Sequence, residues 1–291
     1  MTASIGGARS AALGLMSGKT VLVTGSTDGI GRQTAVDLAA MGAAVIVHGR
    51  DPGRGAAALA AVQTAASAAG SAREPVLCLA DLSSLCGTRT LAAQVRRHCE
   101  RLDVLVNNAG VYAPRRVTTP DGLELTFAVN VVAPFLLTRE LLPLLAAAAP
   151  ARIVNLSSTS HWTGEMHWDD LRLEHAYDPL VAYEQSKLAM TLFTFALARR
   201  LKGSGVTAVC LDPGNVATGM LRAGWPELVG IDLVAGAATC VVLASSPEVE
   251  GLSGVYYECG RLTVPPPASL DRVAQARLWA VLERIANGEV R

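Results

Sequence analysis

The 291-residue sequence has no excess of charge of either sign. It contains 25 Lys and Arg residues against 25 Asp and Glu residues, and no dense basic block. Proteins that bind nucleic acid or anionic membranes usually carry a basic patch, so the sequence predicts no nucleic-acid partner. Hydrophobic residues make up 51% of the chain, which is enough to form a sizeable core.

Paired cysteines are also missing. The six cysteines include no CxxC pair, and Cys78 and Cys210 fall inside apolar runs typical of buried strands. This pattern favours free thiols in a reducing cytoplasm over disulfides. His161, His167 and His175 are close in sequence, but their spacing does not place them on one helix face, and no partner ligands accompany them. We therefore predict no metal site.

Long apolar runs are absent as well. A membrane-spanning helix needs about 18 apolar residues, and the Ala-rich segment 136–149 is interrupted by polar residues and a proline. Residues 1–17 lack the compact apolar core of a signal peptide. We therefore expect a cytoplasmic protein without a membrane span, in which a flexible segment, 1–17, precedes a single domain, 18–291.

Short β-rich runs alternate with helical stretches along the chain. "TVLVT" (20–24) precedes a predicted helix from Gly29 to Met41, and Ser83 is a suitable cap for a helix reaching Arg101. Further helices are expected near 52–69, 121–148, around Tyr183, and near 231–245 and 270–286. Continuous apolar strands separated by helices predict a parallel sheet that is covered on both faces.

A glycine-rich turn, "TGSTDGIG" (24–31), connects the first strand to the first helix. Its spacing differs from GxGxxG, but glycines permit a tight turn and let backbone approach an anion at the helix N-terminus. The position therefore favours a nucleotide site. The alternative is that these glycines only allow close packing of helix and strand.

Tyr183 and Lys187, in "VAYEQSKLAM" (181–190), lie one helical turn apart on the same face. By itself such a pair is compatible with an exposed helix surface. The surrounding motifs decide between the two interpretations.

Six motifs occur in order: "TGSTDGIG" (24–31), "NNAG" (107–110), Asn130 in "FAVNVVAPF", "IVNLSS" (153–158), "YEQSK" (183–187) and "DPGNVAT" (212–218). Together they resemble the short-chain dehydrogenase/reductase family over about residues 18–260. "DGLELTFAVN", "AYEQSKLA" and "LARRLKGSGVTA" further resemble the retinol dehydrogenase-like branch. The resemblance implies a doubly wound Rossmann-type α/β sheet of strand order 3-2-1-4-5-6-7, with the active site at the carboxyl ends of its strands.

The same resemblance implies a catalytic tetrad of Asn130, Ser158, Tyr183 and Lys187. Tyr183 would exchange a proton with the substrate oxygen while hydride moves to or from the nicotinamide, and the Lys187 ammonium would lower the pKa of the phenol. Ser158 would stabilise the developing charge, with Ser157 in a structural role. Asn130 would hold a water that links Lys187 to solvent, or would only be a turn or helix-kink residue.

The cofactor is expected to be NADP(H) in preference to NAD(H). Where NAD-preferring members carry an acid at the end of the second strand, this sequence has Gly49, followed by Arg50, which suits a 2′-phosphate. Asp28 and Asp51 argue against this, because either could repel the phosphate. The resemblance implies contacts to the cofactor from Gly25, Ser26, Thr27, Asp28, Gly29, Ile30, Gly31, Arg50, Asp81, Leu82, Asn107, Ala109, Gly110, Tyr183, Lys187, Pro213, Gly214, Val216 and Thr218.

The substrate is expected to be an apolar carbonyl or alcohol. Pro114, Trp225 and the segment 219–229 are candidate specificity elements. Trp162 and Trp168, in the long segment between Ser158 and Tyr183, would either contact the substrate or anchor their loop.

The sequence thus predicts an NADP(H)-dependent oxidoreductase that interconverts a carbonyl and an alcohol, in secondary metabolism, as a homodimer or homotetramer. Two alternatives stay open at this stage. One is a biosynthetic enzyme of the same family that performs a non-redox cyclisation or epimerisation. The other is a dinucleotide-sensing protein, although such sensors commonly lack the Tyr–Lys pair.

Overall fold

The computed structural model describes residues 14–289, and within them eight strands form one sheet in the order β3-β2-β1-β4-β5-β6-β7-β8. This confirms the Rossmann-type order that the sequence predicts for the first seven strands. The strands are β1 (Thr20–Val23), β2 (Ala44–Gly49), β3 (Val76–Leu79), β4 (Val104–Asn107), β5 (Ala151–Leu156), β6 (Val206–Asp212), β7 (Tyr256–Glu258) and β8 (Arg261–Thr263).

The eighth strand is an addition to the predicted sheet. β8 runs antiparallel to β7, whereas the other neighbouring strands are parallel. The two residues between β7 and β8, Cys259 and Gly260, have φ values of 47° and 80°. Positive φ at both positions is typical of the tight hairpin turns that match strand twist.

Helices cover both faces of the sheet, as predicted. The α-helices are α1 (Gly29–Ala40), α2 (Pro52–Ala68), α3 (Leu85–His98), α4 (Leu125–Phe127), α5 (Ala133–Ala147), α6 (Pro179–Arg200), α7 (Gly219–Gly224), α8 (Leu233–Ser245), α9 (Pro267–Leu270) and α10 (Arg272–Ala286). A π-helix, Ala128–Val132, joins α4 to α5, and short 3-10 helices occur at Thr159–Trp162 and Pro247–Val249.

The side chains of β1 show how the sheet separates two apolar cores. Val21 and Val23 pack into the core beneath α1, α2 and α8, whereas Leu22 points to the core formed with α3, α5, α6 and α10. All four residues of β1 are buried because the strand is central and covered on both faces. This explains why the predicted strands read as continuous apolar runs.

The predicted cap of α3 was wrong by one residue. Ser84 is the N-cap, because its hydroxyl accepts a hydrogen bond from the Gly87 N–H at 3.0 Å. The Ser83 N–H instead donates to the Asp81 carboxylate at 2.9 Å, in a turn that precedes the helix. The helix then ends at His98, before the predicted end at Arg101.

Three other helical segments begin later than predicted, and each begins after an acidic residue. Glu124 caps α4, Asp232 caps α8 and Asp271 caps α10, in each case by accepting backbone N–H groups of the first turn. Carboxylates stabilise helix N-termini through these hydrogen bonds and through the helix dipole. The predicted helix boundaries follow the apolar pattern of the sequence, and that pattern does not include these polar capping residues.

The continuous helical stretch Leu125–Ala147 is long and apolar enough to cross a membrane by length and composition alone. However, 72% of its most apolar window is buried inside the protein, which is the environment of a core helix.

At the start of the chain, residues 1–13 lie outside the described residues. Met16 is buried, and its N–H donates to the Met41 carbonyl. Because most of the predicted flexible segment 1–17 lies outside the described residues, that segment and its boundary stay a prediction.

Candidate active site

The glycine-rich turn lines a cavity of about 620 Å³ at the carboxyl ends of the parallel strands. Gly25 has a φ of 63°, and a Cβ there would lie 2.8 Å from Cα of Ala109. A Cβ at Gly31 would collide with the Asn108 side chain. The glycines therefore do allow close packing against the loop after β4, as the alternative proposed, and the same turn also faces the cavity.

Most of the predicted cofactor contacts line this cavity, but two do not. The Ser26 hydroxyl is buried and donates to the Val23 carbonyl at 2.8 Å. The Asn107 amide is buried and donates to Asn155 at 2.8 Å. The Ser26 hydroxyl also accepts the His48 N–H at 2.9 Å, so it joins the turn after β1 to β2, and Asn107 joins β4 to β5. The predicted residues that line the cavity are Gly25, Thr27, Asp28, Gly29, Ile30, Gly31, Arg50, Asp81, Leu82, Ala109, Gly110, Tyr183, Lys187, Pro213, Gly214, Val216 and Thr218.

His48, at the end of β2, supports the turn and was not predicted. Its Nδ1 accepts a hydrogen bond from the Gly25 N–H at 3.0 Å, so Nε2 carries the proton and donates to the Ala80 carbonyl at 3.2 Å. Burial lowers the pKa of His48 to about 4, which keeps the ring neutral. The sequence feature that could have indicated this role is a histidine in the otherwise apolar run "AVIVHG".

Charged side chains surround the cavity near the end of β2. Arg50 is exposed and lines the cavity. Arg54, on α2, also lines it and forms a 2.8 Å ion pair with Asp28. Asp51 caps α2 by accepting the Arg54 N–H at 2.7 Å. Of the two acids that could repel a phosphate, Asp28 is therefore paired with the Arg54 guanidinium, whereas Asp51 accepts only the Arg54 backbone N–H. Arg54 was not predicted from the sequence.

Gly49 is required by packing at the same corner. A Cβ at this position would collide with the Thr27 side chain of the glycine-rich turn. A small residue at the end of β2 is thus fixed by the fold, whatever nucleotide binds.

At the other end of the cavity, Tyr183 and Lys187 are both buried on α6. The Lys187 ammonium donates to the Leu156 carbonyl at 3.1 Å and lies 5.3 Å from the centroid of the Tyr183 ring. Burial lowers the pKa of Lys187 to about 8, and the nearby Asp212 carboxylate opposes this shift. A lysine with this pKa can exchange protons near neutral pH.

The phenol is not acidified in the way that the sequence suggested. Burial raises the pKa of Tyr183 well above its ordinary value, and the neighbouring Ser158 hydroxyl only partly opposes this. Desolvation of the phenolate therefore outweighs the predicted attraction to Lys187. In this geometry Tyr183 is a neutral phenol, which is the form that donates a proton.

The two serines at the end of β5 have different environments. Ser157 is buried, and its hydroxyl donates to the Lys187 carbonyl at 3.0 Å, in agreement with a structural role. Ser158 lines the cavity and is paired with Ser160, whose N–H and hydroxyl both lie at 3.2 Å from the Ser158 hydroxyl. Both serines line the cavity, but the Ser157 hydroxyl is bonded to α6, so the motif selects the serine whose hydroxyl is not bonded to that helix.

Asn130 lies outside the cavity lining, in the π-helix between α4 and α5. Its Oδ1 accepts the Val111 N–H at 2.8 Å, and its Nδ2 donates to the Val111 carbonyl and to the Ser186 hydroxyl, each at 3.0 Å. Asn130 thus joins the loop after β4 to α6, next to Lys187. This matches the helix-kink alternative, and π-helical distortions often occur at functional sites.

Aromatic rings enclose Tyr183 on the substrate side. The Tyr112 ring lies 5.8 Å from Tyr183 and 5.2 Å from Trp225, and Trp225 lies 5.3 Å from Tyr183. Trp225, a predicted specificity residue, lines the cavity, and Tyr112, which was not predicted, packs against both Trp225 and Tyr183 without lining the cavity itself. Pro114 is exposed and does not line the cavity.

The two tryptophans between Ser158 and Tyr183 also lie outside the cavity lining. Trp162 is 46% exposed. Trp168 packs against the core, and the Arg277 guanidinium lies 4.6 Å from its ring centroid. This geometry favours the loop-anchor interpretation for Trp168.

Among the described residues 14–289, no group of three or more His, Cys, Asp or Glu side chains could hold a metal ion. The six cysteines, all within this range, are free thiols.

Comparison with known proteins identifies the family. The short chain dehydrogenase family model matches residues 19–228. Retinol dehydrogenase 14 of Homo sapiens is 40% identical over 292 residues, covering 93% of this chain and 87% of that protein. A solved structure from Mycobacterium paratuberculosis is 30% identical, with a TM-score of 0.78 and full coverage of both chains. The Pseudomonas aeruginosa RhlG complex with NADP is 27% identical, with a TM-score of 0.68 and coverage of 85% of this chain and 96% of that one.

The family uses NAD(P) to interconvert CH–OH and C=O groups, and the cavity contains the Tyr, Lys and Ser side chains of its motifs. The chain belongs to the short-chain dehydrogenase/reductase family and is an oxidoreductase that resembles the retinol dehydrogenases.

Proposed function

We propose that the protein is an NADP(H)-dependent oxidoreductase that interconverts a carbonyl and an alcohol on an apolar small molecule. One observation carries the proposal. A single cavity connects Arg50 and Arg54, at the end of β2, with Tyr183, Ser158 and Lys187, beside β5 and α6. A dinucleotide needs an anion site at one end and a reacting site at the other.

The chain's own groups fit such a cofactor. The glycine-rich turn leaves backbone N–H groups at the start of α1 without intrahelical acceptors, next to the positive end of the helix dipole. Arg50 and Arg54 provide charge for a 2′-phosphate. The NADP complex of RhlG supports this choice by similarity. A bound nicotinamide supplies or accepts hydride.

In the reducing direction, Tyr183 donates its proton to the substrate oxygen as the carbonyl carbon gains hydride. Ser158 donates a hydrogen bond to the same oxygen and stabilises its developing negative charge. Lys187, whose pKa burial lowers to about 8, stabilises the phenolate that remains and exchanges protons near neutral pH. Asn130 positions this arrangement by fixing the loop after β4 to α6.

An apolar substrate suits the border of the cavity. Tyr112 and Trp225 present aromatic surface beside Tyr183. Leu228 lines the cavity, and it is followed by the exposed Val229 and Ile231. The human relative is named for retinol, which is an apolar alcohol, and this name supports the proposed substrate class.

The test is NADPH oxidation by purified protein over a panel of apolar aldehydes and ketones. Tyr183→Phe should lower kcat by at least about 10²-fold, because it removes the proton donor, and should leave the Kd for NADPH nearly unchanged. Tyr257→Phe is the matched control, since the same atom is removed from a residue outside the cavity lining. Equal turnover by wild type and Tyr183→Phe would overturn the proposed mechanism.

The same assay separates the two alternatives. A dinucleotide sensor would bind NADPH without oxidising it with any carbonyl of the panel. A non-redox enzyme would form product without net oxidation of the cofactor. The arrangement of Tyr183, Ser158 and Lys187 around one cavity favours redox chemistry over both.

A further inference from the structure

Asp212, the last residue of β6, is a buried acid at the reacting end of the cavity. It is 3% exposed, and it lines the cavity between Lys187 and the Pro213–Gly214 turn. A carboxylate buried to this extent is costly unless it is paired or hydrogen-bonded. No role was predicted for it from the sequence.

Three loops bind this carboxylate. Oδ1 accepts the Thr159 N–H at 3.1 Å, and Oδ2 accepts the Gly214 N–H at 2.9 Å. The Cys259 thiol lies 3.7 Å from Oδ2. These groups follow β5, β6 and β7, so the carboxylate is fixed where neighbouring strands end. Hydrogen bonds from two backbone amides favour the ionised form.

Asp212 is the negatively charged group at this end of the cavity, because the titratable groups around it are either neutral or positively charged. Burial raises the pKa of Asp212, and the two amides and the Lys187 ammonium oppose that shift. The other titratable groups that interact with it are Tyr183, Tyr256 and Cys259. These three are neutral at ordinary pH because burial raises the pKa of each.

The other acids that line the cavity lie at its opposite end. Within the described part of the chain these are Asp28, in the glycine-rich turn, Asp51, after β2, and Asp81, after β3. Asp28 and Asp51 are also engaged by Arg54. Asp212 is thus the acid that lies beside Tyr183 and Lys187.

We infer that Asp212 is a positioning residue that makes the site bind the oxidised cofactor more tightly, relative to the reduced one. The inference rests on the proposed function, in which a nicotinamide lies beside Tyr183. An oxidised nicotinamide ring carries one positive charge that the reduced ring lacks. A fixed carboxylate beside it attracts only the oxidised form, and its amide hydrogen bonds keep it from turning away.

The expected effect is about tenfold, because a unit charge several ångströms away is only partly screened near a protein surface. In Asp212→Asn, the ratio of the Kd for NADP⁺ to the Kd for NADPH should rise by about this factor. Asp212→Glu keeps the charge and should return the ratio towards the wild-type value. Both affinities are measured by titration calorimetry, at a pH below the pKa of Lys187, which is about 8. The pH is set well below that value, because the neutral Asp212 variants lack the carboxylate that raises the pKa of Lys187.

Asp81→Asn is the matched control, because it removes the same charge from the opposite end of the cavity, far from the site proposed for the nicotinamide. The two redox forms of the cofactor are identical at that end. Asp81→Asn should therefore change both affinities by the same factor and leave their ratio unchanged. If Asp212→Asn is too unstable to purify, Asp212→Ser also removes the charge and keeps a hydroxyl that can accept an amide hydrogen bond.

A raised ratio in Asp212→Asn or Asp212→Ser, with an unchanged ratio in Asp81→Asn, supports the inference. An unchanged ratio in the neutral Asp212 variants overturns it, even where both affinities fall, because the carboxylate would then only brace the loops. In that outcome the proposed function stands. Failure of the wild type to bind either form overturns the proposed function together with the inference.

Discussion

At the end of β2 the cavity is bordered by exposed charged side chains, whereas beside α6 it is bordered by buried polar ones. Arg54 and Asp28 form their ion pair with 58% and 69% of their side chains exposed. Tyr183, Lys187 and Asp212 are each less than one-tenth exposed. Water screens the charges of the first group. Burial shifts the pKa of each member of the second group.

This difference indicates that the end of the cavity near β2 suits phosphate binding and that the end beside α6 suits proton transfer. Binding of a phosphate needs charge that is already ionised, and an exposed arginine provides it. Proton transfer needs groups whose pKa values are moved by their surroundings, and burial beside α6 does this for Tyr183, Lys187 and Asp212. Substitutions of Tyr183 or Ser158 should therefore change the rate of reaction, whereas substitutions near β2 should change affinity or stability.

The largest effect is expected from Ser158→Ala. Removing a hydrogen-bond donor to the reacting oxygen should lower kcat by about 10²- to 10³-fold and leave the Kd for NADPH nearly unchanged. Steady-state kinetics with an apolar carbonyl measures kcat, and calorimetry measures the Kd.

Ser157→Ala is the matched control for that change. The Ser157 hydroxyl bonds the Lys187 carbonyl, so its loss should cost about 1 kcal/mol of unfolding free energy and much less activity. If Ser157→Ala lowers kcat as much as Ser158→Ala does, the serine that acts on the substrate has been misassigned.

The second effect is a loss of stability in acid that originates near β2. The pKa of the buried His48 is lowered from 6.5 to about 4, because burial disfavours the charged ring. The neutral ring is favoured by folding, so its contribution is present above pH 6.5 and is lost as the pH falls towards 4. Between pH 7 and pH 5 the free energy of unfolding should fall by about 2 kcal/mol from this residue alone.

Urea unfolding at the two pH values measures this effect. His48→Gln keeps an acceptor for the Gly25 N–H and cannot titrate, so its unfolding free energy should depend less steeply on pH. A smaller slope should remain, because burial also lowers the pKa of His161. If the slopes of wild type and His48→Gln are equal, His48 is protonated in the folded protein without cost.

The third effect is one of cofactor affinity. Arg50→Ala should weaken NADPH binding by about tenfold and leave NADH binding unchanged, because only NADPH carries the 2′-phosphate. Asp28→Asn should act in the opposite direction and tighten NADPH binding, since it releases Arg54 from its ion pair. Both effects should shrink at high salt. If Asp28→Asn weakens NADPH and NADH alike, Asp28 acts as the cap of α1 instead.

The comparison of the two ends also shows what the sequence could provide. The alternation of strands and helices, the glycine-rich turn and the Tyr183–Lys187 pair could be predicted, because periodicity and local motifs determine them. The order of the strands followed from the family resemblance. The direction of the Tyr183 pKa could not, since burial in three dimensions outweighs the nearby charge. The roles of Arg54 and Asp212 could not be predicted, because their partners, Asp28 and the Thr159 N–H, lie 26 and 53 residues away in sequence.

The smallest effect concerns the border of the Tyr183 end, where Trp162 and Trp168 were predicted either to contact the substrate or to anchor their loop. Trp162 is 46% exposed and Trp168 packs against the core. Trp168→Ala should therefore lower the free energy of unfolding by about 2 kcal/mol or more. Trp162→Ala should change it by less than about 0.5 kcal/mol and leave KM for an apolar carbonyl unchanged. A raised KM in Trp162→Ala would instead extend the substrate site from Trp225 onto this loop.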